Sequence, residues 1–341
     1  MTTPPENPPL ARTYLGDGLS TSPIGYGAMG LAAVYGPIDD AEALSTLHHV
    51  VDAGIDLIDT ADVYGAGSNE RLIARLLADR REEVTLATKF GIVPQDENHA
   101  TATKRNDAAY VREACEASLE RLGTEVIDLY YLHRRDVSVP LEETIGAMSE
   151  LVTAGKVRHL GLSEVTADEL RRAHVIHPIA AVQSEWSLWS RDVERHVVAA
   201  AAELGTGFVP YAPLGRGFLT GTILSAVELE GDWRAELDRF RGDAFDANQA
   251  IVAIVRGIAH ENKATPAQVA LAWLRRRGTQ LGLPVVSIPG TRRSSRVDEN
   301  VRSLLLDLDD EAMSTLNTLA ANVVGRRSSE SDPDWVSDTR E

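Results

Sequence analysis

Strand-like and helix-like segments alternate along nearly the whole chain, and this alternation limits the possible folds more than any other feature. Short apolar, β-prone runs fall at 24–27 (IGYG), 56–59 (DLID), 84–89 (VTLATK), 127–132 (IDLYYL), 157–163 (VRHLGLS), 180–185 (AAVQSE), 207–212 (GFVPYA) and 284–289 (PVVSIP). The spacing between and after them predicts helices over 40–53, 68–78, 107–122, 141–154, 167–175, 192–203, 265–277 and 293–303. Several helices carry their own punctuation. Thr166, with Glu169 three residues on, reads as a capping box. Thr265-Pro266 opens another helix with proline at its first position, and Gly278 reads as its stop. Gly54 and Gly123 stand where helices would end in a left-handed residue. Eight strands and eight helices in strict order predict an α/β fold, the (β/α)8 TIM barrel, with parallel strands sheathed by helices. Ahead of it, Gly16-Asp17-Gly18 between two β-prone pieces predicts an N-terminal β-hairpin over 12–22.

The competing architecture is an open doubly wound sheet with a dinucleotide loop. GYGAMG at 25–30 has the G-x-G-x-x-G spacing, but LAAVYGPIDD after it is no helix start. A lone G-x-G-x-x-G is weak evidence, and the motif is rejected as a Rossmann loop. A chain of 341 residues is long for one domain, yet barrels of this size are routinely single. The expected organisation is a Pro-rich, disordered lead at 1–11, one barrel domain over 12–324 and a polar C-terminal tail at 325–341. Long loops are expected on the active face. The Gly-rich, charged connection from 215 to 250 follows the seventh strand and suits a lid.

Charge excludes some roles. Lys+Arg 34 against Asp+Glu 51 gives −17, which repels phosphate backbones and anionic lipid, so neither nucleic acid nor membrane is an expected partner. The single cysteine, Cys115, allows no internal disulfide and reads as a packed thiol. With no signal-like or spanning segment, the expected location is the cytoplasm.

Four polar residues recur where these strands end. Asp59 closes the second strand and Tyr64 lies just past it, Lys89 closes the third, and His133 the fourth. In a barrel the strand ends build the active face, so three neighbouring strands deliver four polar groups to one mouth. Each alone is as easily a core or turn residue; together they make a proton-transfer set. A buried Lys89 needs a counter-charge, which Asp59 supplies. An ammonium beside Tyr64 draws down a phenol pKa that is normally about 10. His133 then orients and stabilises the oxygen of a carbonyl under reduction. No metal is required, and the nine His with one Cys show no zinc-ligand spacing.

At this point the chain resembles the aldo-keto reductase superfamily, from about residue 12 to about residue 320. The motifs occur in the family's order: IDTADVYG (58–65), LATKFG (86–91), DLYYLHRRD (128–136), AVQSEWSLWSR (181–191), VPYAPLGRGFLTG (209–221) and IPGTRRSSRVDEN (288–300). The wording is most similar to a microbial and plant branch that uses NADPH. The resemblance implies reduction of aldehydes and ketones, with Asp59, Tyr64, Lys89 and His133 as catalytic tetrad. It implies that Ser163 and Gln183 hold the nicotinamide carboxamide and that Tyr211 stacks under the ring. Pro213, Leu214, Gly215, Arg216 and Gly217 approach the pyrophosphate. Thr291, Arg292 and Arg296 take the adenosine 2′-phosphate, and Glu299 and Asn300 reach the adenine. Gly27, Ala28, Met29, Ile288 and Gly290 complete the cofactor site. The cluster TRRSSR at 291–296 agrees on physical grounds, because three Arg at a predicted helix start favour an anion even in an acidic chain.

One position departs from the pattern. Glu164 follows Ser163 where much of the family has Asn, and a carboxylate can only accept. The expected substrate wall is Met29, Tyr35, Phe90 and Trp186, joined by Trp335 from the tail. Three readings follow. The favoured one is an NADPH-dependent carbonyl reductase. The alternative is a non-enzymatic NADP(H)-sensing accessory subunit, since relatives of this fold act beside membrane channels. The third is a barrel hydrolase, which lacks a second acid near Asp59 and leaves TRRSSR unexplained. A monomer is the default expectation.

Overall fold

The computed structural model describes residues 10–94, 102–328 and 334–341. All but Leu10 and Ala11 of the expected disordered lead lie outside the described residues. The hairpin forms as the Gly-Asp-Gly turn predicts. β1 (Thr13–Tyr14) and β2 (Ser20–Thr21) pair antiparallel, with Thr13 opposite Thr21. Asp17 and Gly18 make the turn in the left-handed region, at φ 55° and 74°.

The barrel strands follow: β3 (Tyr26–Gly27), β4 (Leu57–Asp59) and β5 (Thr85–Phe90). A short antiparallel pair, β6 (Ile92–Pro94) and β7 (Ala102–Lys104), rises beyond β5. Then come β8 (Ile127–Leu132), β9 (Val157–Ser163), β10 (Ile179–Glu185) and β11 (Gly207–Tyr211). The parallel order is β11-β10-β9-β8-β5-β4-β3. The predicted eighth strand closes the ring through parallel bridges, Phe208 with Val285 and Ile24 with Ser287. Prolines at 284 and 289, which have no N–H to give, keep it from a longer ladder. The fold is the (β/α)8 barrel.

Ten α-helices surround it among the described residues. They are α1 (Asp40–Asp52), α2 (Ser68–Arg80), α3 (Ala108–Leu122), α4 (Leu141–Thr153), α5 (Ala167–Ile176), α6 (Val197–Leu204), α7 (Gly242–Glu261), α8 (Pro266–Gln280), α9 (Ser294–Arg302) and α10 (Asp310–Thr318). The expected capping box forms at Thr166 with Glu169, and α8 shows a second one, at Thr265 with Gln268, beside the expected proline at its start. Cys115 is buried on α3.

Three expectations need correction. Gly278 is no stop, since α8 runs on to Gln280 and a Cβ at 278 would come 2.4 Å from the Val285 side chain. The predicted helix over 192–203 is a 3-10 turn at Asp192–Arg195 followed by α6. The connection read as running to 250 ends at 242, where α7 buries Phe245, Ile251, Val252, Val255 and Ile258 at helical spacing. Neither α7 nor α10 was foreseen.

The barrel interior is a small apolar cluster of its own, with Leu57, Leu129, Val209 and Val286 facing inward. Leu15 and Leu19 of the hairpin plug it from below, and the Gly16 N–H donates to the Ala180 carbonyl at 2.8 Å. The hairpin therefore seals the N-terminal ends of the strands and leaves the C-terminal ends as the open mouth.

Candidate active site

The four polar strand-end residues converge at that mouth. Parallel register sets Asp59 beside Ala87 and Lys89 beside Tyr131, so the ends of β4, β5 and β8 are neighbours. Lys89 is fully buried; its Nζ lies 2.5 Å from Asp59 Oδ1 and donates to the Thr60 carbonyl at 2.7 Å. The other Asp59 oxygen accepts from Gln183 Nε2 at 2.8 Å. Burial works against the Lys89 charge, but the Asp59 carboxylate and then the Tyr64 phenol outweigh it, and Lys89 is held above its usual value. The Lys89 ammonium sits 5.1 Å from the centre of the Tyr64 ring.

His133 lies on the other side of Tyr64, edge-on, with ring centres 6.0 Å apart. Its main-chain N–H is tied to the Phe90 carbonyl at 2.8 Å. Burial, then the charges of Arg134 and Lys89, push its pKa well below the usual imidazole range. The ring is therefore neutral, with one N–H and one lone pair to offer. Its Nδ1 has no hydrogen-bond partner among the described residues. A phenol and a neutral imidazole thus face a single space, with a fixed, fully buried cation beside the phenol.

That space is a cavity of about 850 Å³ running from Tyr64 and His133 to Arg296 and Asn300. Most of the expected cofactor positions line it: Gly27, Met29, Ser163, Gln183, Tyr211, Pro213, Leu214, Arg216, Gly217, Ile288, Gly290, Thr291, Arg292, Arg296, Glu299 and Asn300. Ala28 and Gly215 do not line it. Ala28 is buried behind the wall, where its carbonyl accepts from Asn69. Gly215 backs onto Trp189, whose ring a Cβ would meet at 2.7 Å.

At the far end of the cavity, no side chain caps the N-terminus of α9, which leaves first-turn N–H groups beside Arg293 and Arg296. Arg292 is already engaged, donating to the carbonyls of Tyr35, Gly36 and Pro37 at 2.8 to 3.1 Å. It fastens the loop after β3 across the mouth. Midway along, Arg216 and Gly217 are both left-handed, at φ 56° and 95°. The Arg216 side chain reaches Glu185 at 3.4 Å and lies over Trp233. Trp233 and Arg234 in turn meet Tyr35, with ring centres 5.9 Å apart for the aromatic pair. The connection after β11 therefore crosses the cavity.

Of the expected substrate wall, Met29, Tyr35 and Trp335 line the cavity, whereas Phe90 and Trp186 do not. Strand side chains alternate, so Lys89 pointing inward turns Phe90 outward, where it stacks on Tyr130 at 4.9 Å. Trp186 is buried against Phe208 and Trp273 and gives its N–H to Glu194 at 3.0 Å. The sequence reading missed Arg134, Trp233 and Arg234, all in the wall. Arg134 is visible beside His133 in the LHRRD run, but nothing local marks the other two. Glu164 is turned away from the cavity. Asp62, partly buried near Tyr64, has its pKa pushed up to about 8 by burial and then by Glu70. Among the described residues no group of His, Cys, Asp or Glu could hold a metal ion, and no helix is long and apolar enough to cross a membrane.

Comparison with known proteins settles the family. The model of the Aldo/keto reductase family matches residues 23–321. The chain belongs to the aldo/keto reductase family. It is 43% identical to a protein described as probable aldo-keto reductase 1 of Glycine max over 297 residues, covering 86% of this chain and 84% of the relative. The glycerol dehydrogenase of Gluconobacter oxydans superposes with a TM-score of 0.83 at 26% identity, covering 94% of this chain and 98% of its own. A thermostable aldo-keto reductase solved with the inhibitor epalrestat gives 0.72 at 28% identity, covering 91% and 100%. This aldo-keto reductase is thus an oxidoreductase of a family that works on carbonyls with a nicotinamide cofactor.

Proposed function

We propose that this aldo-keto reductase reduces aldehydes and ketones to alcohols, with NADPH as the reductant. The observation that carries the reading is one cavity with Tyr64, neutral His133 and the Asp59 that pairs buried Lys89 at one end and an arginine-rich helix start at the other. The residues fit a dinucleotide phosphate. An aromatic platform, Tyr211, is followed by a turn with left-handed residues at Ala212, Gly215, Arg216 and Gly217, and the cavity ends at the uncapped N-terminus of α9. Ser163 and Gln183 suit a carboxamide, and Arg296 suits a 2′-phosphate because its guanidinium has no partner among the described residues. When bound, the cofactor supplies a hydride to the carbonyl carbon.

The chain's own groups handle the oxygen. Tyr64 gives its phenolic proton to the oxygen as negative charge develops there. Lys89, kept charged by Asp59, stabilises the phenolate left behind. The neutral imidazole of His133 orients the oxygen by hydrogen bonding without itself being the acid. Met29, Val63, Ile92 and Trp335 give the substrate end an apolar wall, which favours aromatic or aliphatic carbonyls.

The test is the decay of nicotinamide absorbance with an aromatic aldehyde, run with NADPH and NADH on wild type and Tyr64→Phe. Turnover is expected with NADPH and should fall roughly 10²–10⁴-fold in the variant while cofactor binding persists. Tight NADPH binding without turnover across a panel of carbonyls would instead support the accessory-sensor reading. Cofactor choice is probed best with Arg296→Ala, because Arg292→Ala would also release the Tyr35–Pro37 loop. Loss of one charged phosphate contact should weaken NADPH binding about 10-fold and leave NADH binding unchanged.

A further inference from the structure

Glu164 is a buried carboxylate that the proposed chemistry does not use. It is fully buried immediately after β9, with backbone φ at 50°, a left-handed setting that a non-glycine residue adopts at a cost. Its side chain does not line the cavity. Oε1 accepts from Arg327 Nη1 at 2.9 Å, the Tyr211 hydroxyl at 2.8 Å and the Glu185 N–H at 3.1 Å. Oε2 accepts from Arg327 Nη2 at 3.0 Å and from the N–H and hydroxyl of Ser337 at 3.0 and 3.1 Å. Its main-chain carbonyl accepts from Arg340 at 2.7 Å, and Arg340 also reaches Glu169 at 3.1 Å. Burial alone would raise its pKa, but Arg327 outweighs it and holds the carboxyl well below the usual range.

Three of these donors belong to two different parts of the molecule. Tyr211 is in the cavity wall, on β11. Arg327 and Ser337 belong to the C-terminal segment, which also puts Trp335 in the wall, 5.5 Å from the Arg134 guanidinium. The last residues are held in the same polar way, with Glu341 accepting from the first N–H of α5 at 2.9 Å. Val336 is buried but belongs to neither apolar cluster. The segment is therefore attached mainly through charge and hydrogen bonds, most of them on Glu164, with Asp192 also 2.9 Å from Arg327.

We propose that Glu164 is a positioning residue that couples the C-terminal segment to the cofactor platform: its carboxylate holds Arg327 and Ser337 with one set of contacts and the Tyr211 hydroxyl with another. Seating the tail then fixes Trp335 as the outer wall and the Tyr211 ring as the inner one. The inference rests on the proposed function only in taking Tyr211 as the surface that meets the nicotinamide. A carboxylate with all its acceptor sites filled by protein groups has none left for a carboxamide.

The test combines hydrogen exchange of residues 334–341 with steady-state kinetics in the full-length protein. Glu164→Gln keeps the size and removes the charge. It should speed exchange across 334–341 and raise both the aldehyde KM and the NADPH Kd about 10-fold, with kcat changed less than about threefold. Trp335→Ala should raise the aldehyde KM alone, and Tyr211→Phe the NADPH Kd alone. In Glu164→Gln combined with Tyr211→Phe, the Kd effect should be no larger than in the Gln variant, the mark of a shared contact. If Glu164→Gln does not fold, Ser337→Pro removes both Ser337 donors at the first position of a 3-10 turn, where proline is tolerated. Unchanged tail exchange in either variant overturns the proposal, as does additivity in the double variant. Exchange needs no substrate, so an inactive wild type that still shows the exchange effect would overturn the reductase reading and leave the latch standing.

Discussion

At the N-terminal end of the barrel, Leu15 and Leu19 pack onto inward-facing Leu57, Val209 and Val286. At the C-terminal end the same strands bury Asp59, Lys89, His133, Ser163 and Gln183. One end is closed by a hairpin that excludes water with hydrocarbon. The other keeps buried charges apart from water by pairing them with one another. The contrast shows how a single sheet divides its tasks along its length. The lower half holds the ring together through burial, and the upper half stores electrostatic free energy that a reaction can use.

The sharpest way to break this division is Lys89→Met. Activity should be lost, and stability should fall by about 3–5 kcal/mol because Asp59 is left buried and unpaired. Thermal unfolding checks the second part. Adding Asp59→Asn should restore most of the stability and none of the turnover, which would separate the electrostatic role of the pair from its structural one.

At the opposite end, Leu19→Ala should cost about 2–4 kcal/mol through lost burial and a residual cavity. Gly16→Ala tests the same seal from the backbone side. A Cβ there would lie 2.8 to 2.9 Å from the carbonyls of Gly205, Ile179 and Ala180. Both variants should keep wild-type kcat/KM per folded molecule well below their melting temperatures. A large kinetic defect in either would show that the two ends are not independent.

The smallest effect expected is at Asp62. Its folded pKa, about 8, lies above the ordinary carboxyl value of 3.8. Between those values the native state binds the extra proton, so this group lowers stability as pH rises through the window. Asp62→Asn should flatten that slope and gain about 1 kcal/mol near pH 8.5, because the group is only partly buried. Urea unfolding at pH 5 and pH 8.5 reads it directly.

What was legible in the sequence follows the range of each interaction. The strands, the caps at Thr166 and Thr265 and the hairpin turn at Asp17-Gly18 rest on neighbours within a few residues, and they formed where expected. Asp59, Lys89 and His133 were legible as a group because the parallel register fixes strand ends beside one another. Phe90 and Trp186 were misplaced because an aromatic near a strand end does not say which face it takes. Alternation from Lys89 would have turned Phe90 outward. Arg327 on Glu164 and Arg292 on the Tyr35–Pro37 carbonyls were illegible, being contacts 163 and more than 250 residues apart with no local signature. The helix α7 was hidden by the Gly-rich, charged run before it, although its own apolar spacing was there to be read.

The seam of the barrel has a consequence for how the chain is made. The first barrel strand finds its outer neighbour only through Ser287, and Tyr26 bonds the Thr291 carbonyl across 265 residues. During synthesis β3 is therefore an unpaired edge until more than four-fifths of the polypeptide has emerged. Such an edge can pair with another chain, so this enzyme is open to misassociation at β3 for most of its synthesis.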